Sequence, residues 1–290
     1  MTEDKALQPD ADPPPPTWPN FMAAAAHQDY LPAEAGILEA ARQGYSHWYI
    51  DGSLQGERPS DWPAERIAAL NALIATKGVK PIYHGNFKAP LGYDVDSVAD
   101  AGLSYVKEEV DLCVAFGGSP LIVHGGGIVE PRRASEARRL GLQRLILNLR
   151  ELVAYSEQRG VQIWLENLIH YKNKFHPFYN ICTTEDEIEE VLASVPGLYL
   201  FLDVSHAYVN EGDPLSFFKK FSHRVVGMSF SDNRGDHDSH FPLGRGTLDF
   251  AGLLAQIEAI GWQGMIGFET RGGTLAHGVN YLNSLARTAD

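Results

Sequence analysis

Only two cysteines occur in 290 residues, Cys113 and Cys182, and they form neither a CxxC pair nor a disulfide framework. A reducing, cytoplasmic setting is therefore expected. Apolar runs fall short of the roughly 18 residues a membrane span needs. The first residues, acidic and proline-rich from Met1 to Trp18, lack the basic segment and apolar core of an export signal. Neither membrane insertion nor export is expected. Positive charge is also in deficit: 24 Lys and Arg stand against 37 Asp and Glu, a formal charge of −13, with no Lys/Arg run. An extended nucleic-acid backbone is thus not an expected partner. What remains, 44% hydrophobic and 21% charged, is the composition of a soluble globular chain, long enough for one large α/β domain or two small ones.

Prolines punctuate the start of the chain, with Pro13 to Pro16 consecutive, and each fixes φ and lacks a backbone donor. Residues 1–19 read as a flexible, proline-rich arm. From Asn20 onward a unit repeats: a short apolar run, a Gly/Pro/Asp loop, then ten or more residues with helical spacing. Strands are expected near Phe21–Ala25, Ser46–Ile50, Lys80–Tyr83, Leu121–His124, Gln162–Glu166, Tyr199–Asp203, Val225–Phe230 and Met265–Glu269. Helices are expected at about 33–43, 63–76, 95–116, 132–158, 184–194, 214–220, 248–260 and 274–287. Thr184 followed by Glu187 suits a capping box, and Gly160 and Gly261 suit helix ends. Leu121-Ile122-Val123 and Ile163-Trp164-Leu165 are apolar without alternation, as in parallel strands buried on both faces. The expected fold is α/β, a single (β/α)8 TIM barrel over residues 20–290 with its helices outside. An open doubly wound sheet is the alternative, but no G-x-G-x-x-G follows the first strand and no strand leads into a P-loop.

Such a barrel gathers the C-terminal ends of its strands into one mouth. Eight residues of metal-ligating type stand at or just after those ends: His84, His124, Glu166, Asp203, His206, Asp238, His240 and Glu269. One strand-end histidine is commonly just a hydrogen-bonded structural group; two on adjacent strands, in Tyr83-His84-Gly85 and Val123-His124-Gly125, weaken that reading. Glu166 ends an apolar strand, where a carboxylate is costly unless paired, hydrogen-bonded or metal-bound. Asp203 and His206 are three residues apart, so a turn can present both. Asp238 and His240 can chelate one ion if the chain bends between them. Mixed imidazole and carboxylate donors suit zinc, manganese, iron or cobalt rather than calcium or magnesium. Trp48, Trp62, Phe87, Tyr171, Phe175 and Phe241 are free either to wall a pocket or to pack.

From about residue 20 to the end, with these motifs in order, the chain resembles the xylose isomerase-like TIM-barrel superfamily, which holds sugar-phosphate isomerases and epimerases and also AP endonuclease family 2. Ser231-Asp232-Asn233 and Asp238-x-His240-x-Pro242-x-Gly244-x-Gly246 carry the likeness to the isomerase/epimerase branch most closely. The resemblance implies a first metal group of His84, His124 and Glu166, a central group of Glu166, Asp203 and Glu269, and a third of His206, Asp238 and His240. It also implies a histidine on the seventh strand, where this chain has Ser229 within Met228-Ser229-Phe230-Ser231-Asp232. A hydroxyl is a far poorer ligand than imidazole, so the central group is expected to be weakened.

The expected activity is that of a divalent-metal-dependent isomerase, epimerase or related lyase on a small sugar or polyhydroxylated carbonyl compound. Glu166 and Glu269 are the expected catalytic bases, working through an enediolate. Manganese or zinc is the expected cofactor, ahead of cobalt or iron. His206 and Arg245 are expected to orient the substrate and Arg271 to meet an anionic group. The alternative is a multinuclear phosphoester hydrolase, which would use all of His84, His124, Asp238 and His240. A small-molecule substrate is the expected partner, and the chain is expected to be a monomer or homodimer.

Overall fold

Alternation along each strand organises the molecule. The computed structural model describes residues 25–27, 31–128, 134–170, 178–272 and 274–286. The expected arm lies outside them, as do Tyr171, Phe175 and the first four residues of the expected first strand. The strands are β1 (Ala25–His27), β2 (His47–Asp51), β3 (Lys80–His84), β4 (Leu121–Val123), β5 (Gly127–Ile128), β6 (Ile163–Glu166), β7 (Phe178–Tyr179), β8 (Tyr199–Asp203), β9 (Val225–Phe230) and β10 (Met265–Thr270). Eight of them form one parallel sheet in the order β1-β10-β9-β8-β6-β4-β3-β2. The end strands β1 and β2 lie against each other, which rolls the sheet into the (β/α)8 barrel. The short strands β5 and β7 pair antiparallel, apart from the barrel sheet.

The helices between them are α1 (Ala33–Arg42), α2 (Ala64–Lys77), α3 (Asp96–Ala115), α4 (Ala134–Glu157), α5 (Glu185–Ser194), α6 (Val204–Glu211), α7 (Pro214–Phe221), α8 (Phe250–Ile260) and α9 (Leu275–Ala286). Among the described residues, no helix is long and apolar enough to cross a membrane. Eight helices begin and end within two residues of the expected positions. Helix α6 was not expected: eight residues long and directly continuous with β8, it offers no loop signal between strand and helix. Its start is written in Asp203, whose carboxylate accepts the backbone N–H of His206 at 2.7 Å as an N-cap. Gly261 caps α8 in the left-handed region, whereas Gly160 stands in the turn beyond α4. Thr184 caps α5, but the Glu187 carboxylate reaches back to the amide of Thr183 rather than to that of Thr184.

Inside the barrel, the residue two positions before each strand-end functional group points the same way as that group. Tyr49, Ile82, Ile122, Trp164 and Phe201, with Met265 four positions before Glu269, thereby form a buried apolar plug, distinct from the larger core between sheet and helices. Trp164 and Phe201 stack within it at 6.0 Å with rings 9° from parallel. On β9 the equivalent position is Gly227, where a Cβ would fall 2.8 Å from the Phe201 ring. The plug fills the barrel's middle, so the polar residues one layer above it are held at the mouth.

Candidate metal centre and active site

The strand ends bring seven of the eight expected ligands into three overlapping groups, each with ligand atoms within 4.8 Å of one another: His84, His124 and Glu166; Glu166, Asp203 and His206; and His206, Asp238 and His240. Glu166 and His206 are the shared members, and Asp203 stands between them in the middle group. Glu269 is not in these groups. Its carboxylate instead accepts the Ser229 hydroxyl at 3.2 Å. In the middle group His206 stands beside Glu166 and Asp203 where Glu269 was expected, while Glu269 lines the same cavity. The reason is local: α6 starts immediately at Asp203 and turns His206 back over the mouth.

The first group is tight. Nε2 of His124 lies 3.1 Å from Nε2 of His84 and 3.1 Å from Oε2 of Glu166, and Nε2 of His84 lies 3.5 Å from the same oxygen. Burial disfavours the Glu166 carboxylate, but hydrogen bonds from His124 and His84 prevail and hold it well below the usual carboxylate range. Burial likewise opposes charge on His84, yet Glu166 and Asp51 carry it up to about 9. Asp51, at the end of β2 with Oδ1 3.9 Å from Nδ1 of His84, is a site residue the sequence reading missed. The strand-end rule that picked out His84 applies equally to Asp51, its register partner on the neighbouring strand.

The third group tests metal binding on geometry alone. Nδ1 of His206 lies 2.8 Å from the carbonyl oxygen of Asn167, and Nδ1 of His240 lies 2.9 Å from that of Glu269. A carbonyl oxygen only accepts, so both Nδ1 atoms carry the proton. Both Nε2 atoms then face one oxygen, Oδ2 of Asp238, at 3.3 and 2.8 Å. Neutral imidazoles would oppose lone pairs to that carboxylate. The arrangement is relieved either by protonating both rings or by a cation among the three, and Nδ1–H bound to a carbonyl is the usual second contact of a metal-ligating histidine. Without a cation the rings take the first course: against the effect of burial, Asp238 raises His240 to about 9 and, with Asp203, holds His206 well above its ordinary value. Asp203 itself is pushed up to about 7 by burial, with the neighbouring carboxylates adding to the shift and His206 opposing it. Its Oδ2 is buried with no hydrogen-bond partner, as is Oδ1 of Asp238. Such donors fit a divalent ion.

The loop that delivers Asp238 and His240 is built on Asp232, and this explains the Gly244-x-Gly246 motif. The Asp232 carboxylate, fully buried, accepts backbone N–H groups from Asn233, Gly244, Gly246 and Leu248 at 2.8 to 3.2 Å. A Cβ on Gly246 would lie 2.1 Å from the Asn233 carbonyl oxygen, so only glycine lets the strand end close on its own loop. The bend expected between Asp238 and His240 falls on His240 itself, which holds φ of 48°. Asn167 was also missed as a support. Its side chain both donates to the Asp203 carbonyl at 2.9 Å and accepts the Asp203 amide at 2.7 Å, fixing β6 to β8 at the level of the ligands.

A cavity of about 780 Å³ opens above the groups, lined by His84, His124, Glu166, His206, Asp238, His240, Glu269 and Arg271 on its polar side. Arg245 is exposed and is not among the lining residues, because Asp232 draws its glycine neighbours inward and leaves it on the outer side of the loop. Of the aromatics, Trp48 and Phe87 line the cavity, while Trp62 packs against Phe116 at 4.7 Å under the Arg66 guanidinium. Phe241 joins a β-bridge with Asp232 instead of lining the cavity.

Residues 37–286 match the family described as xylose isomerase-like TIM barrel. Over 254 residues the chain is 25% identical to fructoselysine 3-epimerase of Shigella flexneri, covering 84% of this chain and 86% of that protein. An uncharacterised protein of Methanocaldococcus jannaschii is 23% identical over 57% of this chain and 60% of its own length. A D-tagatose 3-epimerase-like protein of known structure superposes with a TM-score of 0.78 at 18% identity, over 93% of this chain and 100% of that one, a likeness of fold. The match across nearly the whole barrel identifies this chain as a member of the xylose isomerase-like TIM-barrel family.

Proposed function

We propose that the protein is a divalent-metal-dependent isomerase or epimerase acting on a small sugar or polyhydroxylated carbonyl compound, by moving a proton on the carbon beside the carbonyl. The observation that carries this reading is the convergence of Glu166 with two histidines on one side and with Asp203 and His206 on the other, at the floor of an open cavity. The 3-epimerase activity named for the Shigella relative supports it.

Manganese or zinc suits the mixed donors, and His84, His124, Glu166, Asp203, His206, Asp238 and His240 would hold it. When bound, such an ion supplies Lewis-acid polarisation of a carbonyl. The chain's own residues do the rest. Glu166 is kept ionised by His124 and His84, and so is available as a base at neutral pH. Glu269 stands three strands away, with β8 and β9 between, and is positioned by Ser229, so the two carboxylates approach a bound substrate from different sides. One removes a proton from one face, and the other, in its acid form, delivers a different, solvent-exchanged proton to the opposite face. Arg271, whose amide is tied to the His240 carbonyl at 2.6 Å, brings a positive charge to the rim for an anionic substituent. The phosphoester-hydrolase reading is less favoured. Among the described lining residues, Lys and Arg are represented only by Lys88 and Arg271, little positive charge for a phosphate diester.

Metal-loaded protein incubated with ketoses in D2O provides the test. Solvent deuterium should enter the carbon beside the carbonyl, by NMR, in wild type and not in Glu166→Gln. No incorporation by metal-loaded wild type across tagatose, fructose, psicose and ribulose would overturn the reading.

A further inference from the structure

Two chemically distinct halves make up the cavity. Beside the acid and imidazole residues, β2 and the loop after it contribute Trp48 and Leu54, the loop from β3 to α3 contributes Phe87, Pro90 and Tyr93, and the first turn of α3 contributes Val98. Phe87 is 59% exposed and Val98 40%, large apolar groups left open to the cavity and its mouth, where burial by a ligand would be favourable. Two carboxylates on this flank already hold partners. Asp51 accepts the Ser53 amide at 2.9 Å and faces His84, and Glu57 accepts the Arg66 guanidinium at 3.0 Å and the Ala33 amide at 3.3 Å. Lys88 folds back with Nζ 5.5 Å from the centre of the Phe87 ring.

A second sugar ring laid against Phe87 and Val98 would press hydroxyls onto apolar surface, at a cost of roughly 1–3 kcal/mol for each left unsatisfied. An aromatic or alkyl group would instead cover apolar surface and stack on Phe87. The volume points the same way: about 780 Å³ lies toward the upper end of the roughly 300–1,000 Å³ typical of pockets for drug-sized ligands, beyond what a free hexose fills.

Resting on the isomerase or epimerase reading above, we infer that the substrate is a sugar carrying an apolar aryl or alkyl substituent. The sugar lies over Glu166 and Glu269, and the substituent lies against Phe87, Tyr93 and Val98. Phe87 is then a specificity-determining residue with no part in proton transfer.

Calorimetric titration of metal-loaded protein with methyl and 4-nitrophenyl pairs of glucoside, galactoside and fructoside tests this. In at least one pair the aryl member should bind on the order of ten- to a hundredfold more tightly, the gain expected from covering one ring. Phe87→Ala should bring that ratio within about threefold, a loss of roughly one order of magnitude or more in preference. Phe87→Trp should keep it, and both variants should retain the wild-type circular-dichroism spectrum because the position is exposed. Equal binding within every pair, including none detectable, overturns the inference, as does an aryl preference that survives Phe87→Ala or a disaccharide binding as tightly as the aryl glycoside. Deuterium exchange into free ketoses by wild type separates the two levels: exchange without aryl preference leaves the isomerase reading standing and removes only the substrate class.

Discussion

Metal binding to chelator-stripped protein should release protons, and the site's geometry sets how many. In the third group, His206 and His240 both use Nδ1–H on backbone carbonyls and both turn Nε2 toward Oδ2 of Asp238, so in the metal-free protein each ring is a cation. An ion needs both Nε2 lone pairs, and both protons must leave. His240 lies at about 9, so removing its proton at pH 7 costs about 3 kcal/mol, or roughly a hundredfold in apparent affinity. His206, held well above its ordinary value, adds a second dependence of the same sign. Apparent affinity for zinc or manganese should therefore rise with pH between 7 and 9, by more than tenfold per unit while both rings are protonated. Calorimetry in two buffers of different ionisation enthalpy should count about two protons per ion at this group. Binding in the first group should release a further proton from His84, which also lies at about 9. Metal-free stability should run in the opposite direction. Raised histidine pKa values contribute fully below about 6.5, and the contribution is lost as pH rises through about 9. Heating curves of stripped protein should shift down across that window while those of loaded protein do not. Proton-silent binding with pH-independent affinity would refute the argument.

Glu166→Gln should abolish turnover while leaving the circular-dichroism spectrum unchanged; measurable kcat in the variant would remove Glu166 as a base. Asp232→Ala leaves four backbone donors without their acceptor, and unfolding in urea should show a loss of about 3 kcal/mol or more, together with weaker metal binding through Asp238 and His240. An unchanged midpoint would show that water replaces the carboxylate without cost. Ser229→His should tighten metal binding beside Glu269 and raise the ion count per chain in elemental analysis, and an unaltered affinity and count would show that the β9 position does not face the cluster.

Strand positions were legible because each apolar run ends in a group that cannot be buried unpaired, and the βα period carries the rest. The ligand set was legible for the same reason, since barrel topology alone collects strand ends. The grouping was not. That His206 joins Glu166 and Asp203 depends on α6 beginning with no intervening loop, and a Val204-Ser205-His206 segment reads as turn or helix with equal ease. Asn167 and Asp232 were visible as residues but not as supports, because their partners are backbone amides and carbonyls that carry no residue type. Arg245 was misplaced in the opposite sense: it stands between two glycines of the functional motif, yet those glycines serve the Asp232 cradle.

Each strand's division into a plug residue and, two positions on, a mouth residue separates foldability from chemistry. Mutational drift at His84, Glu166 or Asp203 leaves Ile82, Trp164 and Phe201 interlocked beneath, so the scaffold tolerates experiments in its reactive ring. Crowded acids such as Asp203, which its own neighbours disfavour, hold that ring short of its most stable composition. Removing such acids would thus be expected to stabilise the fold while emptying the mouth of its chemistry.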